Sequence, residues 1–449
     1  MNKRLLSSLG LCLLGFTAQA QWAYQPINGL LSQSAPFYLD AIDANTAWGV
    51  SVGATSYVVP QLVRTTNAGQ AWVVTALPVN ATVRENVTGL SATSSTNAWV
   101  STVNVNGVGG RILRTIDGGQ TWTTQSSATV FGSPNSYPGL IRFFSVTEGV
   151  AVGEALNTGS GFETYTTTNA GLTWTLLTAV PATLPNEHLV TNPPVVVGNT
   201  IWFLTSEGRV FRSSDKGLTW TVATIAPNLL APTGISFRDA QNGLVSVLDD
   251  QGGTSHQLFR TTDGGTTWAS VVYTGALHGF GLSTVPGTTE YVSTGADLGN
   301  GDQGSSFSRD NGQTWIPLEN TFNHLGVEFV SATVGWSGGL VLNGVQVVTS
   351  GMNRYSGTAL ATRTDAGLQA SLTVAPNPAL GGRFTLQAAR TTAGPATVRV
   401  LDVAGRLVQQ QAWASAAPLA LDLSREPAGI YVLEVQAASG TARQKVVVQ

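Results

Sequence analysis

The stretch Thr65-Thr66-Asn67-Ala68-Gly69-Gln70-Ala71-Trp72 is the first of six related octets in this chain of 449 residues. The other five are Thr115–Trp122, Thr167–Trp174, Ser213–Trp220, Thr261–Trp268 and Ser308–Trp315. All share the pattern Ser/Thr-x-Asp/Asn-x-Gly-x-x-Trp, and successive tryptophans lie 46 to 52 positions apart. A repeat of this length indicates stacked or radially arranged units.

The octet has the composition of a hairpin turn. Its Asp or Asn side chain accepts hydrogen bonds from nearby backbone N–H groups, its glycine supplies a positive φ, and its Ser/Thr hydroxyl adds a second local bond. The acidic or amide residues are Asn67, Asp117, Asn169, Asp215, Asp263 and Asp310, and the tryptophans expected beneath the turns are Trp72, Trp122, Trp174, Trp220, Trp268 and Trp315. Because the motif recurs in every unit, we interpret these residues as scaffold.

These octets resemble the Asp-box, or BNR repeat, of sialidases, sortilin-type receptors, xyloglucan hydrolases and photosystem II assembly factors. All of these are β-propellers, so the resemblance implies that fold. A second signature precedes the boxes, supplies the inner strands and occurs seven times; Phe37–Val50 and Val327–Gly338 are its first and last copies. The clearest full unit contains four short strands joined by polar or glycine-rich turns: Ile235–Phe237, Gly243–Leu248, Gln257–Thr261 and Thr267–Tyr273.

Seven inner signatures against six boxes are explained if the ring closes on itself. Val327–Val348 provides three strands, and Trp22–Ile27 is an isolated strand that follows no box. Pairing the two segments would complete the last blade and leave no open sheet edge. The sequence therefore predicts an all-β fold with a seven-bladed propeller over residues 21–348.

Residues 1–20 have the features of a signal peptide. Lys3 and Arg4 are followed by the apolar stretch Leu5–Phe16 and the small-x-small site Ala18-Gln19-Ala20. No stretch reaches the ~20 apolar residues that span a bilayer, so no transmembrane segment is predicted. The only cysteine, Cys12, lies in this segment, so the processed chain is expected to lack disulfides and cysteine metal ligands.

The charge balance argues against nucleic acid as a partner. Without Lys3 and Arg4 the chain has 20 basic and 25 acidic residues, whereas phosphate binding requires a basic surface. The same balance separates this chain from the photosystem assembly factors, for which the resemblance implies thylakoid partners bound through a basic patch. We therefore take that likeness as one of fold.

After Val348 the repeat ends. Residues 349–370 are rich in Gly, Thr, Ala and Ser and are predicted to be a linker. Residues 371–449 alternate as strands between turns and are predicted to form a small, immunoglobulin-like β-sandwich. Their motifs run from Pro376-Asn377-Pro378 through Gly429-Ile430-Tyr431 to the final Lys445-Val446-Val447-Val448-Gln449.

This order of motifs closely resembles the type A C-terminal sorting domain of the Bacteroidetes type IX secretion system. The resemblance covers essentially all of residues 371–449. It implies that the type IX secretion machinery is a partner of the chain. It also implies a location outside the cell, either secreted or attached to the outer cell surface.

The boxes join strands three and four of each blade at one face of the ring. The loops between strands two and three, and the connections between blades, lie at the opposite, box-free face, where the family resemblance places ligand sites. The candidate ligand-binding residues there are Tyr57, Tyr137, Tyr165, Glu154, His188 and His256. Exposed tyrosines stack on sugars, and polar loops suit the recognition of a glycan or protein. We therefore expect a non-enzymatic binding or adhesion protein.

The enzyme alternatives differ in the charged groups that they need. For a sialidase the resemblance implies three converging arginines, but Arg84 is the only arginine clearly in a box-free loop, and the arginines that precede boxes are interpreted as scaffold: Arg64, Arg114, Arg212 and Arg260. A glycosidase acting on neutral polysaccharide needs two carboxyl groups about 5 to 9.5 Å apart. Asp249 or Asp250 with Asp297 or Asp302 could form such a pair, so a glycoside hydrolase is the alternative.

No cofactor is expected, with calcium as the one option considered. Asp297, Asn300 and Asp302 lie on a glycine-rich turn that offers several oxygen ligands, but the EF-hand frame and its terminal Glu are missing. A turn without metal is the simpler interpretation. The histidines His188, His256 and His324 are spread over different blades and lack spacing typical of a zinc site.

Overall fold

The computed structural model describes residues 21–449 except 54–56, 106–108, 128, 134–135, 158, 191, 228, 230–231, 248–255, 345, 358–365, 390–395, 403–406, 415–416 and 438–439. The predicted signal peptide and the candidate residues Asp249 and Asp250 lie outside the described residues. Within the described ranges, no helix is long and apolar enough to cross a membrane.

Seven sheets, each built on four antiparallel strands, follow one another along the chain and form the predicted seven-bladed propeller. Blades 1 and 2 consist of Ser34–Ala41, Ala47–Gly53, Gln61–Thr65 and Val73–Ala76, and of Glu85–Ala92, Ala98–Asn104, Ile112–Thr115 and Thr123–Thr124. Blades 3 and 4 consist of Pro138–Phe143, Gly149–Gly153, Thr164–Thr167 and Thr175–Leu176, and of Val195–Val197, Thr200–Leu204, Arg209–Ser213 and Thr221–Thr224. A 3-10 turn, Ala81–Val83, connects the first two blades.

Blades 5 and 6 differ at their outer edges. Blade 5 consists of Pro232–Phe237, Gly243–Val247, Gln257–Thr261 and Ala269–Ser270. Blade 6 consists of Gly281–Thr284, Tyr291–Gly295, Gly304–Ser308 and Thr314–Glu319. The short strand Thr274–Gly275 pairs in parallel with the outer strand of blade 6, so this edge is covered by the chain that enters the blade.

Blade 7 joins the two ends of the propeller, as the sequence predicted. Its strands are Asn323–Ser331, Val334–Asn343, Gln346–Tyr355 and Trp22–Pro26. The last pair is antiparallel, with Trp22 opposite Tyr355 and Pro26 opposite Gly351. The third strand continues past the boundary expected at Val348, because Thr349–Tyr355 completes the pairing with the N-terminal strand. The start of the predicted linker is therefore part of the blade.

The second strand of each blade is buried along most of its length because neighbouring blades pack against it. In blade 1 the residues Ala47–Ser51 are all buried, and Trp48 has no exposed surface. The apolar side chains form a separate cluster between each pair of blades. Arg64, before the first box, lies 5.3 Å from the Trp48 ring, and Arg114 lies 5.1 Å from Trp99. These arginines cover core tryptophans, which fits a scaffold role.

Backbone hydrogen bonds define the two faces of the ring. Ala68 N in the first box donates to Asn45 O, in the turn between strands one and two, at 3.0 Å. Lys216 N in the fourth box donates to Asn199 O at 2.9 Å in the same way. The boxes and these turns therefore share one face, and the inner strand of each blade runs from the box-free face to the box face.

The C-terminal residues form two sheets around one core. One sheet contains Leu372–Ala375, Arg383–Ala388 and Leu419–Asp422, and the other contains Leu407–Trp413, Ala396–Leu401, Gly429–Ala437 and Gly440–Val448. The 3-10 turn Leu380–Gly382 lies between the first two strands. The helix Ala366–Ser371 precedes the first strand, and its Leu368 is buried in the same core. The end of the predicted linker therefore packs with the β-sandwich.

Candidate functional site

Carboxylates on the box-free face are bound by neighbouring groups of the protein. In blade 2, Glu85 Oε1 accepts hydrogen bonds from Arg111 Nε and from Thr102 Oγ1, both at 2.7 Å. In blade 4, Glu187 Oε1 accepts from Arg209 Nε at 2.8 Å and from Thr205. Burial opposes ionisation of both glutamates, but these donors outweigh it and lower the pKa of each. Each glutamate thus clamps a connection between blades to the neighbouring hairpin.

A second cluster joins blades 5 and 6. Asp302 Oδ1 lies 2.7 Å from His278 Nδ1, Asp302 Oδ2 accepts a 2.9 Å hydrogen bond from Gly279 N, and His256 Nε2 lies 3.6 Å from Asp302 Oδ2. Burial disfavours the charged carboxylate, but His256, His278 and Gly279 N–H outweigh it and hold the pKa of Asp302 at about 2. The three side chains are almost completely buried.

Sequence reasoning missed His278. The expected histidines were His188, His256 and His324, whereas His278 is the one held directly by Asp302. A signal was available, because Glu85 and Glu187 also belong to the segment through which the chain enters a blade, and each accepts a hydrogen bond from a threonine of the neighbouring hairpin. Position within the repeat, and not residue type, identifies these clamps.

The third cluster joins blade 7 to blade 6 and has the atoms of a Ser-His-Glu triad. His324 Nδ1 lies 2.7 Å from Ser337 Oγ, and its Nε2 lies 3.0 Å from Glu319 Oε1. However, His324 and Ser337 have no exposed surface, so a substrate could not reach the hydroxyl. Burial lowers the pKa of His324 despite the opposing effect of Glu319. The arrangement fits a structural role.

The three candidate tyrosines lie in different environments. Tyr57 is half-buried and its OH donates to Glu85 O at 3.2 Å. Tyr137 is half-buried, and burial together with the charge of Glu154 raises its pKa. Tyr165 is only 5% exposed, and its OH donates to Glu163 Oε1 at 2.9 Å. The expectation that Tyr165 is exposed for stacking on a sugar is therefore wrong, because its ring belongs to the core between blades 2 and 3.

The remaining candidate ligand-binding residues form one exposed and one buried group. The His188 ring is exposed, and its Nδ1 lies 3.3 Å from Glu154 Oε2. Leu189 N donates a 3.2 Å hydrogen bond to Glu154 Oε1. Burial raises the pKa of Glu154, partly offset by these contacts. His256 is 5% exposed and lies in the cluster with Asp302, so it is a buried residue and not part of an exposed loop surface.

The proposed calcium turn is held by its own backbone. Asp297 Oδ1 accepts hydrogen bonds from Gly301 N at 2.7 Å and Gly299 N at 3.0 Å, which lower its pKa. Asn300 Oδ1 accepts from Asp302 N at 3.3 Å, while the Asp302 carboxylate is used by His278 and Gly279. Among the residues that the structure describes, no group of three or more His, Cys, Asp or Glu is arranged to hold a metal ion.

Aliphatic side chains are exposed around the box-free face. They come from the hairpin loops and connections of several blades and are between 39% and 59% exposed. The residues are Leu31, Val105, Leu156, Leu184, Leu298, Val341 and Val348. We call this set the aliphatic rim. Apolar groups at the surface, next to carboxylates that are internally bound, suit contact with another molecule better than acid–base chemistry.

Comparison with known proteins supports both parts of the chain. Residues 373–449 match the secretion system C-terminal sorting domain. No curated protein matches the chain. Solved structures that resemble it include YCF48 bound to D1 peptide, with a TM-score of 0.52 and 18% identity over 75% of this chain and 97% of that chain. YCF48 from Cyanidioschyzon merolae has a TM-score of 0.52 and 17% identity over 74% and 98% of the two chains.

The GH74 enzyme of Niastella koreensis is also similar, at 14% identity and a TM-score of 0.46 over 92% of this chain and 66% of that chain. At these identities the structural likenesses show the fold alone. The fold and the C-terminal match define this chain as a β-propeller followed by a type IX secretion sorting domain. The sorting domain implies handling by the type IX secretion machinery and delivery to the cell surface or the medium.

Proposed function

We propose that the chain is a non-enzymatic binding or adhesion protein that presents the box-free face of its propeller outside the cell. The ligand is an extracellular glycan or protein. The observation that carries this proposal is the contrast between the carboxylates and the aliphatic residues of that face. Its described carboxylates are largely engaged in clamps and turns, while the aliphatic rim is exposed. A propeller of similar fold has been solved with a bound peptide, which supports testing protein ligands as well as glycans.

A glycoside hydrolase would need a close pair of carboxyl groups, one of them with a raised pKa. Of the described candidates for such a pair, Asp297 and Asp302 both have a lowered pKa, because backbone N–H groups and histidines stabilise their charged forms. The binding proposal therefore has more support among the described residues. Asp249 and Asp250 lie outside the described residues, so their part in such a pair is tested by experiment.

The test is to incubate the exported chain with arrays of glycans, polysaccharides and peptides and to score retention and released sugar together. We expect retention without product. The double substitution Val105→Asp with Leu156→Asp, in the aliphatic rim, should weaken retention at least about ten-fold, because it places charge in an apolar contact. The matched control is Leu172→Asp with Leu218→Asp, which changes exposed leucines in two boxes on the opposite face.

Retention that survives the rim substitutions would show that the ligand does not bind at the aliphatic rim and would contradict the proposal for this face. Released sugar that disappears in Asp249→Asn, Asp250→Asn, Asp297→Asn or Asp302→Asn would overturn the binding proposal in favour of a hydrolase. Both double variants must melt near the temperature of the parent protein, so that loss of binding in the rim variant is separated from loss of folding.

A further inference from the structure

The centre of the ring encloses a channel of about 450 Å³. It is lined by the inner strands of blades 1, 3, 4, 5, 6 and 7 together with residues at their ends. The volume falls within the range of sites that hold small organic ligands, about 300 to 1,000 Å³. None of the candidate residues identified from the sequence lines this channel.

The lining changes character along the axis. The half-buried rings of Phe37 and Phe280 line the box-free end, and Leu39 and Val196 continue the apolar wall. Charged residues lie towards the box end: Arg142, Arg238 and Glu328. Their position along the channel axis follows from the strand direction. Arg142 is the next-to-last residue of its inner strand, and Arg238 directly follows an inner strand.

Three hydroxyls of the channel wall donate to backbone carbonyls. Ser283 Oγ donates to Thr284 O at 3.1 Å, and Thr284 Oγ1 donates to Phe237 O at 3.4 Å. Thr233 Oγ1 donates to Ser246 O at 3.4 Å. These groups need no ligand to satisfy them, so the specificity of the channel must come from its charged end.

At that end, three charged side chains from different blades converge. Arg142 Nη1 lies 3.0 Å from Asp40 Oδ2, which also accepts a 2.7 Å hydrogen bond from Ala92 N. Glu328 Oε2 accepts a 2.8 Å hydrogen bond from Ala41 N. Arg142 Nε is buried, and no described residue accepts a hydrogen bond from it. The channel therefore reaches the terminal N–H groups of Arg142 and not Nε, because the side chain lines the channel and is 24% exposed while Nε has no accessible surface.

We propose that the axial channel binds a small molecule with an apolar body and a terminal carboxylate, held at the box end by Arg142 and Glu328. The part of the Arg142 guanidinium that is not bound to Asp40 donates to the carboxylate, and the carboxyl proton of Glu328 supplies a second donor. The apolar body lies along Phe37, Leu39 and Phe280. This site is separate from the aliphatic rim and does not depend on the ligand proposed for that face.

Two guanidinium groups and one carboxyl group at the site can donate hydrogen bonds to an anionic group. Arg142 is paired with Asp40, and Arg238 adds a second guanidinium, which contacts Asn311 and lies 3.5 Å from the half-exposed Asp239. Burial, reinforced by the nearby Asp40, raises the pKa of Glu328 to about 8 despite Arg142. At neutral pH the carboxyl of Glu328 is therefore mostly protonated and able to donate to a carboxylate.

The test is calorimetric titration of the full exported chain with octanoate, octan-1-ol and octylammonium at pH 6 and pH 9. We expect one site for octanoate at pH 6, with octan-1-ol at least about ten-fold weaker, because charge-assisted hydrogen bonds are the stronger ones. At pH 9 octanoate should bind about ten-fold more weakly, since only about one molecule in eleven keeps Glu328 protonated. Octylammonium should not bind.

Substitutions test whether octanoate binds in the channel and not elsewhere on the molecule. Glu328→Gln should bind octanoate equally at both pH values, because its amide donates at either pH and its carbonyl keeps the Ala41 N–H bond. Leu39→Trp should abolish binding by filling the channel; if this variant does not fold, Val196→Trp blocks the channel from another blade. Lys216→Gln removes a positive charge from the box face, where Lys216 pairs with Glu148, and should change nothing.

Equal affinity for all three probes would show apolar partitioning and overturn the proposal. No octanoate binding at pH 6 would also overturn it, as would full binding by a folded Leu39→Trp or Val196→Trp variant. A pH dependence that persists in Glu328→Gln would show that Glu328 is not the group that binds the carboxylate, and would contradict the proposed site.

Discussion

At the scale of single residues, each box turn uses two consecutive left-handed residues. In the first box these are Ala68, with φ of 60°, and Gly69, with φ of 78°. The sequence pattern identified the glycine at the fifth position but not the special conformation of the fourth. The fourth-position residues are Ala68, Gly118, Ala170, Lys216, Gly264 and Asn311. A residue with a Cβ is strained there, by about 1 to 2 kcal/mol.

We predict opposite effects for exchanges at this fourth position. Ala68→Gly should stabilise the protein by up to about 1 kcal/mol, because relief of the left-handed strain exceeds the extra entropy of glycine in the unfolded chain. Gly118→Ala should destabilise by about 1 kcal/mol or more, since Gly118 has a φ of 78°, which a residue with a Cβ adopts only with strain. Urea unfolding of the two variants measures both.

The control is Ala71→Gly, in the same turn but without a positive φ in the structure. Glycine there should be neutral or mildly destabilising, by roughly 0.5 kcal/mol. If Ala68→Gly loses as much stability as this control, the left-handed conformation is not a source of strain.

His324 gives a pH-dependent prediction. Its pKa is lowered by burial, so its contribution to stability is complete above the unfolded value and is lost as the pH falls below that value. Protonation of His324 should cost up to about 1.4 kcal/mol of unfolding free energy per pH unit between pH 6.5 and the lower folded pKa. Glu328 contributes in the opposite direction, because its raised pKa stabilises the folded state as the pH falls. His324→Gln should remove the His324 contribution, so acidification should lower its stability less than it lowers that of the parent.

Thermal melts from pH 7 to pH 5 measure the slope, and His188→Gln is the matched control because the His188 side chain is 66% exposed. A His188→Gln slope that equals the His324→Gln slope would contradict the assignment. The baseline stability of His324→Gln is expected to fall, since Ser337, Glu319 and Asn353 lose a partner. The test is therefore the change with pH and not the absolute stability.

At the scale of elements, the N-terminal strand closes the ring. Trp22 has no exposed surface, contacts the rings of Tyr355 and Phe329, and donates from Nε1 to Ser305 Oγ at 3.0 Å. Ser305 Oγ in turn donates to Glu319 Oε1 at 2.9 Å. The strand thus joins both the apolar core between blades 6 and 7 and the His324 cluster.

We predict that Trp22→Ala costs about 3 to 5 kcal/mol of stability, because it removes a buried aromatic side chain and leaves a cavity. Tyr24→Ala, on the same strand, should cost much less, roughly 1 kcal/mol, since Tyr24 is half-buried and its OH meets Thr349 Oγ1 at a partly exposed 3.3 Å contact. Denaturant unfolding compares the two. Similar losses would mean that pairing of the strand, and not burial of Trp22, stabilises the closure.

At the scale of the whole molecule, the propeller and the C-terminal domain have separate cores and separate tasks. Among the described residues, the C-terminal core is built from residues 368–448, and its sequence matches a sorting domain. We predict that removing residues 373–449 stops delivery to the cell surface or the medium in a host with the type IX machinery. The truncated chain should accumulate in the periplasm.

Fractionation of the host measures the distribution, and the melting temperature of the retained chain is the control. A retained chain that melts near the parent temperature would assign the defect to sorting. A truncated chain that still appears outside the cell would contradict the role of these residues in export.

The sequence by itself determined the number of blades, the position of the boxes and the closure of the ring through Trp22–Pro26. These depend on contacts within an octet, such as Gly69 N to Thr65 Oγ1 at 2.9 Å, or on a repeat that can be counted. The candidate site was predicted less well. Tyr165 and His256 proved buried, and His278 was overlooked, because exposure of a loop residue depends on how neighbouring blades pack.

Only the tertiary structure decided which polar groups meet. Asp40 and Arg142 are 102 positions apart and come from blades 1 and 3, yet they pair next to the central channel. No local pattern encodes that contact, because it exists only when seven sheets close a ring of fixed diameter. The hydrogen bonds of a box turn join residues within one octet and can be predicted from it. The buried charges of the channel and the clamps of the box-free face form only when the whole ring closes.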